Sequence, residues 1–222
     1  MNERLHLILI GPPGAGKSTI AGLLIEQTPL TVIATGQRLR HEISTDTSIG
    51  KAIGHLLEQG HFAPDTLMDR LMRQWLREVP ADHGVILDGY PRNPEQAVAL
   101  EAMLADRRRP LTAAVALELD DATALHRLGG RRICRVAGEP FTLHLDDAEA
   151  VARCEAMAGT LEQRDDDQPE IIHERLRVYA RETAPLLAFY QERGMLVQVD
   201  AAGTPAEVTA AVFDALARQR QV

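Results

Sequence analysis

An α/β fold built on a parallel sheet is what this 222-residue sequence predicts. Three observations predict it. Short runs rich in Val, Ile and Leu recur along the chain without clean alternation, as strands buried on both faces require. Between them lie longer segments with helical spacing, so that strand and helix alternate through right-handed crossovers. The first apolar run, LHLILI, leads straight into the glycine-rich stretch GPPGAGKS, and a helical pattern follows.

Taken in order, strands are expected at 5–10, 31–33, 85–87, 113–117 and 196–199. Helices are expected near 17–26, 37–44, 48–59, 65–78, 94–106 and 121–128, then at about 169–193 and 205–218. Pro205 suits a helix start after Thr204. Pro185 lies inside a long helical pattern and predicts a kink. Residues 132–163 break the strand–helix rhythm and read as a separately folded insertion or lid. Arg107, Arg108 and Arg109 precede Pro110 and read as a solvated helix end.

Composition narrows the function. Hydrophobic residues make up 45% of the chain and aromatics only 4%, so the core is aliphatic. The net charge of −8 argues against a general nucleic-acid binder, which would be basic. No apolar run approaches the roughly 18 residues of a membrane span. Two cysteines and no secretion signal point to the cytoplasm. Of the 24 basic residues only Lys17 and Lys51 are lysine. A codon bias toward arginine explains much of that. Arginine also matches phosphate oxygens with its planar fork, so position must decide which of them are clamps.

GPPGAGKS is the spacing G-x-x-x-x-G-K-S, formed by Gly11, Gly16, Lys17 and Ser18. Backbone N–H groups of such a loop point at phosphate oxygens, and the following helix adds its positive end. Lys17 reaches the outer phosphates. This explains a bound triphosphate and leaves open what receives the phosphoryl group. Transfer requires an acceptor in line, and cations for the charge that spreads over the moving oxygens.

Three further stretches carry groups suited to that task. ATGQRLRHEI (34–43) is a tight turn into a helix that carries Arg40. ILDGYPRNPEQA (86–97) ends a strand at Asp88, turns at Gly89 and presents Arg92. HRLGGRR (126–132) spaces Arg127 and Arg131 across a double glycine. With LEQRDDD and the TAPL of 183–186, these stretches resemble, in order and spacing, the adenylate kinase family of nucleoside monophosphate kinases.

The resemblance implies a P-loop NTPase core, a single domain over 1–222, with a five-stranded parallel sheet flanked by helices. It implies two insertions, a monophosphate-binding segment at 34–63 and a lid at 130–167. It implies magnesium-dependent transfer from ATP to AMP, giving two ADP. Donor contacts would come from Gly11, Gly14, Ala15, Gly16, Lys17, Ser18, Thr19, Arg127, Arg131, Phe141 and Gly203. The acceptor would meet Thr35, Gly36, Arg40, Ala63, Gly89, Arg92 and Gln96, with Arg164 and Arg175. Lys17, Arg92, Arg127, Arg131, Arg164 and Arg175 would serve the transfer itself. Asp88 would orient magnesium, with Ser18 either a second ligand or a hydroxyl satisfying the backbone. A glutamine amide offers one donor and one acceptor, which matches an edge of adenine. Transfer to CMP, UMP or GMP, and an ATP-binding regulatory module without turnover, stay open as alternatives. A monomer is expected.

The chain departs from the family pattern at three places. Gln37 stands where the TG turn usually continues with Asp. Ser18 stands where many relatives have glycine. In the lid, Cys134 and Cys154 keep one member of each of two zinc-binding C-x-x-C pairs, while Ala137 and Met157 take the partner positions. Two thiolates do not close a tetrahedral site, even with His144, Asp146 or Asp147 nearby. The expectation is two packed thiols, with neither zinc nor a disulfide. The eight histidines are scattered along the sequence and form no constellation in it.

Overall fold

The computed structural model describes residues 4–219. Its central sheet has the order β2 (Leu30–Ala34), β3 (Gly84–Asp88), β1 (His6–Ile10), β4 (Ala113–Glu118) and β8 (Leu196–Asp200). All four pairings are parallel, and Leu9 lies opposite both Asp88 and Val115. The expected α/β architecture is therefore present, with each strand within a residue or so of its expected bounds.

The two faces of β1 are both apolar for a packing reason. Leu7 and Leu9 face a cluster with Ile20, Ala21 and Leu24 of α1 (Lys17–Ile25) and Val208 and Val212 of α10 (Pro205–Gln219). Ile8 and Ile10 face the other cluster. It includes α2 (Thr35–Ser44), α3 (Ser48–Glu58), α4 (Asp65–Glu78), α5 (Pro94–Ala105) and α9 (Pro185–Glu192). A strand sandwiched this way has no polar side to show, which is why LHLILI does not alternate.

Three expectations are corrected at the level of elements. Helix α2 begins at Thr35, so the TG pair forms its first turn instead of preceding it. The long pattern 169–193 is two helices, α8 (Pro169–Val178) and α9, joined by a π-helical turn at Tyr179–Thr183. Pro185 lacks an N–H and crowds the preceding turn, and the wider turn accommodates both. Arg109 does not extend into solvent alone; its guanidinium donates to the carbonyls of Pro80 (2.7 Å) and Val79 (3.3 Å).

After α6 (Asp121–Gly130) the rhythm breaks, as the sequence indicates. β5 (Arg131–Arg135) pairs antiparallel with β6 (Phe141–His144) and with β7 (Thr160–Glu162), and α7 (Ala148–Ala156) packs on this ribbon. Cys134 and Cys154 are joined by a disulfide, which overturns the expectation of two packed thiols. The reason is tertiary. Helix α7 turns back over β5, bringing the two Cα atoms to 6.0 Å across a separation of 20 residues. The bridge consumes both thiols, so neither is a metal ligand in this state. Among the described residues, no helix is long and apolar enough to cross a membrane.

Candidate active site

The site is assembled at the carboxyl ends of the strands, where parallel sheets bind ligands. β1 ends at Ile10, and the loop 11–16 returns the chain into α1. Gly16 is the N-cap of α1 with φ 80°, a left-handed conformation that glycine adopts without strain. No side chain caps this helix, so its first N–H groups are open to an anion. Gly11 and Gly14 bracket the turn, Ala15 is buried beneath it, and Thr19 is exposed on the first helical turn.

Lys17 Nζ donates to the carbonyls of Gly11 (2.7 Å) and Pro12 (2.9 Å), folded back over its own loop. Desolvation lowers its pKa to about 8; Asp88 opposes this, while Arg92, Arg175 and Arg131 add to it. The Ser18 hydroxyl donates to the Asp88 carboxylate, so of the two sequence readings it is not spent on the backbone. Asp88 is only 6% exposed at the end of β3.

On the other side of Asp88 lies the second group. Thr35 is fully buried and its hydroxyl donates to the Asp88 carbonyl (3.1 Å). Arg40 folds its guanidinium over Gly36, one turn back on α2. Arg92 Nε donates to the Gly89 carbonyl (2.8 Å), and its guanidinium lies 4.0 Å from the centre of the Phe62 ring. Ala63 is buried beside that ring. Gln96, 2% exposed, accepts from the Arg92 N–H (2.8 Å) and donates to Asp65 (2.7 Å). Asp65 also accepts from Asn93 (2.9 Å), so it orients the Gln96 amide from a fixed position.

The third group comes from the far end of the insertion. Arg131 makes a bidentate pair with Asp167 (2.7 and 2.6 Å), which is fully buried. Arg164 makes another with Asp166 (2.8 and 2.5 Å). Arg175 bridges the two, donating to Asp167 (3.0 Å) and to the Asp166 carbonyl (2.7 Å). Burial pushes Asp166 up, but Arg175 and Arg164 outweigh it and hold the carboxyl below the usual carboxylate range. Desolvation, then the Arg131 guanidinium, lowers Arg164. Desolvation, then Arg164, lowers Arg40. Arg131, Arg164 and Arg175 thus share the Asp166–Asp167 pair, and their charges reach Lys17 and Arg40.

Two expected residues stand apart from this group. Arg127 donates to the carbonyls of Ala202 (2.9 Å) and Gly203 (3.4 Å), so it meets Gly203 beyond β8. Phe141 packs in the insertion's own apolar cluster, with Arg153 4.3 Å over its ring. Conversely, Asp65 and Phe62, the partners of Gln96 and Arg92, carry no mark in the sequence. By sequence the Asp165–Asp167 run has the look of an exposed acidic helix start. An acidic residue following RD carries no local signal of burial; only the approach of Arg131 from β5 and Arg175 from α8 supplies it.

Comparison with known proteins agrees with this geometry. A family model described as adenylate kinase matches residues 9–195. An adenylate kinase of Symbiobacterium thermophilum is 38% identical over 216 residues, which is 97% of this chain and 100% of the relative. One of Salinispora tropica is 38% identical over 212 residues, 96% and 98% of the two chains. One of Pyrococcus horikoshii is 36% identical over 204 residues, 92% of each. The glycine loop, the paired arginine groups and a match along nearly the whole length lead to one conclusion: the chain belongs to the adenylate kinase family.

Proposed function

We propose that the protein transfers the γ-phosphoryl group of ATP reversibly to AMP, giving two ADP. One observation carries this reading. In a chain of net charge −8, Lys17 and Arg92 lie by the end of β3 at Asp88 and Gly89, and Arg131, Arg164 and Arg175 gather on only two carboxylates, Asp166 and Asp167. Such a local excess of cations suits two phosphorylated ligands facing each other.

In this reading Lys17 and the backbone N–H groups from Gly14 to Thr19 hold the donor's phosphates, with Arg127, Gly203 and Phe141 toward its nucleoside end. Arg40 and Arg92 hold the acceptor's phosphate. An oxygen of that phosphate attacks the γ-phosphorus, and the bond to the β–γ bridging oxygen breaks. The departing ADP keeps that electron pair. Charge spreads over the three remaining oxygens, where Arg131, Arg164 and Arg175 supply planar donors already oriented by Asp166 and Asp167. No covalent enzyme intermediate is needed.

Magnesium fits the residues present. The Asp88 carboxylate and Ser18 hydroxyl are hard oxygen donors, adjacent and joined by a hydrogen bond beside the lysine. Held by Asp88 and Ser18, a magnesium ion would supply positive charge to offset that of the donor's phosphates. The segments 34–63 and 130–167 act as two covers. Water competes with AMP as acceptor, so closing them before transfer protects the triphosphate.

Adenine selectivity follows from Gln96. With Asp65 and the Arg92 N–H each engaged, its amide keeps one N–H and one lone pair in a set orientation. That pair complements adenine's donor–acceptor edge, with Thr35 and the backbone of Ala63 and Gly89 around it. The test is to supply ATP, magnesium and each nucleoside monophosphate in turn and follow diphosphate formation. AMP is expected to react fastest. No turnover with any acceptor refutes the enzyme reading; faster turnover with CMP, UMP or GMP refutes the base assignment.

A further inference from the structure

Three side chains outside the phosphoryl-transfer machinery meet where the insertion joins the main sheet. His126 lies in α6, His144 ends β6, and Asp146 follows in the next turn. The potential ligand atoms of all three lie within 4.8 Å of one another. Scattered in sequence, these histidines are brought together by the return of β6 along β5.

The spacings suit a metal ion. Asp146 Oδ2 is 3.0 Å from His126 Nε2 and 3.6 Å from His144 Nδ1. With bonds of about 2.0–2.1 Å, neighbouring ligands of a tetrahedral zinc stand about 3.3 Å apart. The two distances to Asp146 lie on either side of that value and the His126–His144 pair is within 4.8 Å, so rotation of the exposed side chains brings all three to corners of a tetrahedron.

The hydrogen bonds orient the His144 ring for the same purpose. Its Nδ1 accepts from the Asp146 N–H (3.1 Å), and its Nε2 lies 3.2 Å from the His126 carbonyl. That network assigns the proton to Nε2 and the lone pair to Nδ1. Donation of the second ring N–H to a backbone carbonyl is the usual way a ligating imidazole is held. A bound ion would take the place of the Asp146 N–H at Nδ1.

Gly130 supplies an independent sign of fit. A Cβ at this position would stand 2.1 Å from His144 Nε2 and 2.3 Å from Cε1. Any other residue would expel the ring, so the end of α6 is shaped to receive it. Two imidazoles and one carboxylate suit a borderline divalent ion, with water in the fourth position.

We propose that His126, His144 and Asp146 form a zinc site that fastens the β6 end of the insertion to helix α6. It is separate from Cys134 and Cys154, which the disulfide occupies. It goes beyond the proposed activity, because zinc binding is measured without nucleotide.

The test uses full-length protein with its disulfide intact, stripped with chelator and dialysed against micromolar Zn2+ in magnesium buffer. We expect one zinc per chain and a higher melting temperature with zinc than without. His126→Ala and Asp146→Asn alter exposed side chains, so both proteins should melt normally in chelator. Each should bind zinc at least about tenfold more weakly and lose the zinc-dependent rise in melting temperature. Failure of the wild type to take up zinc overturns the proposal, as does equal uptake by the variants. Uptake that appears only after disulfide reduction also overturns it, by placing the ion on the cysteines.

Discussion

The five-stranded sheet buries apolar side chains on both faces, in two large clusters that draw on most of the helices. The three-stranded insertion has one cluster, in which only Cys134, Leu143 and Cys154 are buried. Each ordered backbone residue costs about 1–2 kcal/mol of conformational entropy, and so little burial leaves a ribbon of this length under-stabilised. What the sheet gains from packing, the insertion takes from cross-links. A disulfide joins β5 to α7, and Arg131 at the start of the insertion pairs with Asp167 at its end. The difference has a functional side. A part held at its ends and stapled within can keep its own shape while moving as a unit.

The largest effect expected lies in the sheet's loop. Lys17→Met removes the one ammonium of the glycine loop, and the rate of phosphoryl transfer should fall about 1,000-fold. The melting temperature should hardly change, since Lys17 bonds only to loop carbonyls. Steady-state kinetics beside calorimetry would check both. A loss of stability equal to that of a core mutation would break the division drawn here.

Next is the staple. Reducing Cys134–Cys154 should cost the insertion about 3 kcal/mol. Limited proteolysis should then cut within 132–162 far faster, while amide protection in β1, β3 and β4 stays as it was. Equal cleavage of the oxidised and reduced forms would show that the ribbon's own packing suffices.

A smaller effect tests the acceptor side. Asp65→Ala frees the Gln96 amide to turn, so KM for AMP should rise about tenfold, a loss of about 1.4 kcal/mol. kcat should stay near its original value, and the preference for AMP over CMP and UMP should narrow. A fall in kcat with KM unchanged would place Asp65 in some other role.

The smallest effect is in pH. Lys17 has a lowered pKa of about 8, so its charged form is complete at pH 7 and lost as pH rises. Between pH 7 and 8.5 the protonated fraction falls about fourfold, and kcat/KM for ATP should fall with it. A flat profile over this range would mean that Lys17 stays charged through the whole interval.

Much of this was legible from contiguous residues. Leu7 to Ile10 had to be a doubly buried strand, because an unbroken apolar run has no solvent side. Gly11, Gly16, Lys17 and Ser18 announced an anion loop, because the required backbone and charge are set by neighbours in the chain. Arg40, Arg92, Arg131 and Arg164 stood out as candidates by their setting in longer motifs, and Arg175 only through the family resemblance. Their partners did not. Asp65 sits 31 residues from Gln96, and Asp167 sits 36 from Arg131. Nothing beside Asp65 distinguishes it from an ordinary acidic helix start.

The sequence by itself determined the parallel sheet, the glycine loop and the family, since periodicity and motif spacing belong to the chain before it folds. Only the tertiary structure decided that Cys134 bonds Cys154, that Asp167 is buried and Asp166 half-buried among arginines, and that His126 and His144 converge on Asp146. Such pairings depend on strand register and on which helix crosses which ribbon. Those are set by packing the whole molecule at once, and no local stretch of sequence contains them.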